Sequence, residues 1–173
     1  MNRTMAALVG GIAAGLVTTA MMQAGRRSGA LGKTLDRDAV DWIDRTTGSR
    51  ALIGDTGTST VEFVNHLGAS ALFGAAYEGM RQLTPQMRPL TRGVMYGTAL
   101  YLINIGMVSP VLGMTEGEIE AGPRKAAERW GVHAVQGAVT ALLAEELSSE
   151  TRGSSGSREF DPRQEHVSGH PIS

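Results

Sequence analysis

The sequence predicts an all-α fold: a four-helix transmembrane bundle with a short amphipathic helix in its first connection and a disordered C-terminal tail. Three observations carry that expectation. Apolar residues gather in four blocks, although the mean hydropathy of the whole chain is only -0.08. Glycine occurs 23 times in 173 residues while aromatic residues make up 5%, which suits helices approaching closely in lipid better than a soluble core of large side chains. Charged or proline-containing segments separate the blocks.

The first block has no charge from Thr4 to Gly25. As a helix over residues 4–25 it covers a hydrocarbon core of about 30 Å, and Arg26 and Arg27 stop it. The rival reading is a cleaved signal peptide, with Arg3 as a weak basic start and Met22-Gln23-Ala24 as a poor cleavage site. Residues 26–60 read as a polar connection in which Val40, Trp42 and Ile43 stand among Asp38, Asp41, Asp44 and Arg45, the pattern of a short surface or interfacial helix. The second block, 61–80, has Glu62 and Glu78 near its ends and must tilt or snorkel them to span.

Pro85 and Pro89 mark a tight helix hairpin. The third block, 93–113, lies in an uncharged run from Gly93 to Thr115, with Pro110 and Gly113 at its end. The fourth, 130–147, is short in uncharged length and reads as a span by its place after the others. Residues 1–147 therefore form one membrane-embedded domain. Residues 148–173 carry too little apolar surface to offset the entropy of ordering them, so a disordered tail is expected there.

Gly11 and Gly15, and again Gly93 and Gly97, are GxxxG pairs read as helix-packing positions. Glu62, His66, Ser70, Phe73 and Tyr77 share one face of the second helix; Arg129, His133, Gly137, Thr140 and Ala144 share one face of the fourth. These two helices run in the same direction, each with a histidine one turn inside its start and an ionisable residue four positions earlier. The expectation is a Glu62–Arg129 pair with His66 and His133 at similar depth. Together with Asn104 these residues form the candidate intramembrane polar cluster. Its first reading is packing and interhelical hydrogen bonding, ahead of a proton or solute route and of a metal site.

The order GGIAAGLVTTAMM, HLGASALFGAAYEGM, RGVMYGTALYLINIGMVSPVLGM and WGVHAVQGAVTALLAEEL resembles the YagU-like family of small bacterial inner-membrane proteins over residues 5 to 147. The resemblance implies a multi-pass inner-membrane location and architecture, and no activity.

A net charge of -1 gives no basic footprint for nucleic acid. The absence of cysteine removes disulfides, thiolate metal sites and thiol nucleophiles, and no nucleotide, hydrolase or zinc-protease signature occurs. The expected partners are the lipid bilayer and a second copy or another membrane protein; no cofactor, metal ligand or catalytic residue is assigned. The first functional expectation is a structural or interaction role. The alternatives are a small transporter or channel with a polar route near His66 and His133, or a metal-binding membrane enzyme. Basic residues after the first and third helices, including Arg26, Arg27, Arg124 and Lys125, put those connections on the cytoplasmic side and both termini away from it.

Overall fold

A computed structural model describes residues 1–32, 35–115 and 117–156, and all regular structure among them is helical. Helix α1, Arg3–Arg27, starts where the Asn2 side chain accepts from Met5 N at 2.8 Å and ends on Arg26 and Arg27. Amide capping satisfies an otherwise orphan donor, and cations suit the carbonyl end of the helix. Helix α2, Leu35–Thr47, is the amphipathic element expected in the first connection.

Helix α3, Ser49–Leu83, begins about twelve residues earlier than the apolar block suggests. Its first turn is held by side chains of α2: Asp44 accepts from Arg50 N at 2.6 Å, and Arg50 Nη2 donates to Asp41 at 2.7 Å. That bond to Asp41 raises the Arg50 pKa further above its ordinary value, so the clasp keeps its cation at any working pH. The helix breaks at Gly54, whose φ of 65° and ψ of -177° suit only a residue without Cβ.

A turn through Thr84 leads to α4, Pro89–Ile103, which places proline in the first helical turn, where its missing N–H costs nothing. The helix then widens into a π-turn, Asn104–Val108, and continues as α5, Ser109–Val111. Pro110 has no N–H for the Gly106 carbonyl and its ring crowds that carbonyl, which accounts for the local widening. A short α6, Glu118–Ala121, precedes α7, Pro123–Gly156.

Helix α1 packs between α3 and α7, and α7 packs in turn against α4. Glycine seams set these crossings. A Cβ at Gly11 would meet the Gly74 Cα at 2.6 Å, and one at Gly15 would meet the Ser70 Oγ at 2.5 Å. At the other crossing, a Cβ at Gly93 would meet the Gly137 carbonyl at 2.6 Å, and one at Gly97 the Ala134 Cα at 2.8 Å. Both GxxxG pairs therefore lie at crossings within one chain. The core mixes small side chains, Ala7, Ala141 and Ala144, with Tyr77, Tyr96 and Leu100.

One expectation needs correction, and a second is met in part. Helix α7 does not stop at residue 147 but runs to Gly156, because Ser148 is anchored: its hydroxyl bonds the Ala144 carbonyl and accepts from Arg81 Nη1 at 3.2 Å. The Arg81 bond is a tertiary contact just past the apolar block, where composition alone favours disorder. The rest of the expected tail, 157–173, with His166 and His170, lies outside the described residues. Second, two helices, Arg3–Arg27 and the run Pro89–Val111, are long and apolar enough to cross a membrane. Helices α3 and α7 carry charges that interrupt their apolar runs, among them Glu62, Glu78 and Arg129.

Candidate functional site: an interhelical cavity

Near the hairpin end, α3 and α4 are tied together. Tyr96 donates to the Phe73 carbonyl at 2.5 Å, and its ring meets Tyr77 edge-on at 5.5 Å between centroids. The adjoining space is a cavity of about 230 Å³ bordered by α1, α3, the π-turn with α5, and α7, with Ala39 of α2 also in its lining. Of the candidate polar cluster, His66, Asn104, Arg129 and His133 line it. Glu62 does not appear in the lining.

His66 Nε2 stands 3.0 Å from the Gly15 carbonyl, which can only accept, so this nitrogen carries the proton. The same nitrogen is 3.4 Å from Thr18 Oγ1. Thr18 is fully buried and reaches Gln136 Oε1 at 3.0 Å, while Gln136 Nε2 donates to the Gly11 carbonyl at 3.2 Å. His66, Thr18 and Gln136 thus stitch α3, α1 and α7 together. On α7, His133 Nδ1 donates to the Arg129 carbonyl one turn back at 2.8 Å, fixing its tautomer, and its ring stands against Tyr101. Arg129, 7% exposed, bonds Glu118 at 2.7 Å and faces Asp38 at 3.6 Å.

The expected Glu62–Arg129 pair is therefore not the arrangement found. Glu62 bonds Arg37 of α2 at 3.3 Å. The reason is topological: α1 lies between α3 and α7, and α2 supplies a nearer partner to each helix. The four cavity-lining members share the cavity, and His133 and Arg129 are also bonded directly through the Arg129 carbonyl.

Sequence reasoning passed over Thr18 and Gln136. Gln136 offered a signal, being the sole side-chain amide in the apolar block 130–147, the same feature that drew attention to Asn104. It also passed over a second buried network at the hairpin end. Arg92, with its side chain 3% exposed, bonds Glu145 at 2.9 Å and donates to the Thr84 and Met87 carbonyls at 2.8 and 2.6 Å. Arg81 bridges Glu78 and Glu145 at 3.4 and 3.2 Å. These contacts satisfy charges that would otherwise be costly to bury.

No protein-family model, curated protein or solved structure matches the chain. The resemblance to the YagU-like family accordingly rests on the pattern of its four blocks, and function has to be argued from the cavity itself. Among the described residues no group of three or more metal-ligating side chains is assembled. The polar groups are instead hydroxyls, amides and imidazoles, with Lys125, Glu128 and Arg129 at the start of α7, in a pocket walled by Met22, Phe73, Val108 and Val132. Apolar walls with a few placed hydrogen-bonding groups are the usual make-up of a small-molecule site.

Proposed function

We propose that this is a multi-pass protein of the bacterial inner membrane, with four spans, whose interhelical cavity binds a small solute on a transport or carrier route. One observation carries the membrane reading: the helices are turned inside out. Their buried faces hold Gly11, Ala14, Thr18, Ser70, Gln136 and Thr140, while large aliphatic side chains point outward on all four long helices. The outward group includes Leu16, Val64, Leu72, Leu102 and Leu142. In water that distribution would leave much of the hydrophobic effect unused; in lipid it is favourable. The charges that interrupt α3 and α7 are ion-paired in the bundle, which reduces their cost in a bilayer.

The cavity favours solute handling over a purely structural role, since both glycine pairs are already engaged within the chain. An interaction role would draw on the same apolar exterior. The absence of cysteine makes the test direct. Single variants Leu72→Cys and Leu142→Cys should resist a charged, water-soluble maleimide in intact membranes, and Asn104→Cys should react. Rapid labelling of Leu72→Cys or Leu142→Cys overturns the membrane reading. Protection of Asn104→Cys from every reagent overturns a solute-accessible cavity.

A further inference from the structure

We propose that the cavity takes an uncharged, ring-sized molecule carrying oxygen atoms that accept hydrogen bonds; this rests on the solute-binding reading above. Size sets the first limit. A cavity of about 150 Å³ holds benzene, so about 230 Å³ leaves room for roughly ten non-hydrogen atoms.

Charge sets the second limit. Away from the start of α7 the polar lining is made of hydroxyl, amide and imidazole groups, Asn65 and His133 among them, with no carboxylate, lysine or arginine. At the start of α7, Arg129 is already engaged by Glu118 and Asp38, Glu128 bonds Arg124 at 3.0 Å, and Lys125 is the remaining charged residue of the lining. A charged ligand in the deep part would have no counter-ion there, and an unpaired ion in a low-dielectric site is strongly disfavoured.

Hydrogen-bonding capacity sets the third. Thr18 donates to Gln136 and lies against backbone carbonyls, Gln136 commits one of its amide N–H groups to the Gly11 carbonyl, and His66 and His133 each commit one N–H to a carbonyl. The side chains of Ser70, Ser109 and Asn104 line the cavity with no hydrogen-bond partner among the described residues. Ser70 and Ser109 are 2% and 3% exposed. Ser70 stands on α3, and Ser109 and Asn104 stand on the continuation of α4, so donors are offered from two walls while Met22, Phe73, Val108 and Val132 supply apolar surface. A ring with carbonyl or ether oxygens on opposite edges matches this arrangement.

The experiment uses the full chain purified in detergent, with equilibrium dialysis and thermal midpoints as readouts. The probes are 2,5-dimethyl-1,4-benzoquinone, para-xylene as an apolar ring, and benzoate as a charged one. The quinone should bind and raise the midpoint, and the cavity-filling variants Ala69→Trp and Val132→Phe should abolish binding. The Ser70→Ala/Ser109→Ala double variant should weaken binding roughly tenfold, as loss of two ordinary hydrogen bonds implies. Xylene or benzoate binding as tightly as the quinone, with sensitivity to the filling variants, overturns the ligand class and leaves the solute-binding reading standing. No binding of any probe overturns both. Quinone binding unchanged in the folded member of the filling pair places it outside the cavity and overturns the inference.

Discussion

Asp38 of α2 faces Arg129 of α7 at 3.6 Å, while the neighbouring Arg37 bonds Glu62 of α3 at 3.3 Å. One short helix thus clasps two long ones at the end of the bundle where the cavity lies, and two adjacent residues of α2 take the charges that would otherwise have to meet each other.

That arrangement predicts unequal costs. Arg129 is buried with two carboxylates around it, so Arg129→Met should lose about 3 to 5 kcal/mol, the usual result of breaking a buried pair. Arg37, about a third exposed, should lose no more than about 1 kcal/mol on the same change. In detergent unfolding, Asp38 and Arg129 should show coupling in a double-mutant cycle. Glu62 and Arg129 should add within about 0.5 kcal/mol, and exchanging their charges should rescue nothing.

The glycine seams make a sharper contrast. A Cβ at Gly97 meets the Ala134 Cα at 2.8 Å and the His133 carbonyl, whereas one at Gly68 meets nothing within 4 Å. Gly97→Ala should therefore destabilise by about 1 to 3 kcal/mol through forced separation of α4 and α7. Gly68→Ala should stabilise by about 0.5 to 1 kcal/mol through helix propensity. Thermal midpoints of the two variants measured side by side decide this.

At the hairpin end, Arg92→Met leaves Glu145 with Arg81 as its remaining cation and frees the Thr84 and Met87 carbonyls. A loss of about 3 to 5 kcal/mol is expected, together with faster proteolysis at the Thr84–Arg88 turn. An unchanged cleavage rate in folded protein would show that the turn holds without the arginine.

The π-turn offers a way to perturb the cavity without touching its groups. Pro110→Ala restores an N–H that can reach Gly106 and so favours an ordinary helical register, displacing Asn104 and Ser109. Affinity for the quinone probe should fall several-fold while the thermal midpoint holds or rises. Unaltered affinity would mean that the π-turn does not set the positions of these side chains.

Orientation follows from the basic connections. With Arg26, Arg27, Arg124 and Lys125 at the cytoplasmic side, a reporter fused after Ser173 should read as non-cytoplasmic. A cytoplasmic signal there would reverse the topology.

The helical class, the hairpin at Pro85 and Pro89, the amphipathic α2 and the GxxxG positions were all legible in the sequence, because each follows from local chemistry: proline geometry, periodicity, or the missing Cβ of glycine. His66, Asn104, Arg129 and His133 were legible as a group, being polar residues interrupting or edging apolar blocks, and the structure brings them to one cavity. What the residues could not reveal was which helix lies beside which. That α1 separates α3 from α7, that α2 takes the charges of Glu62 and Arg129, and that Arg81 bonds Ser148 just beyond Leu147 are long-range pairings. They depend on how whole helices pack, and no local pattern of residues encodes the partner of a charge more than a helix away.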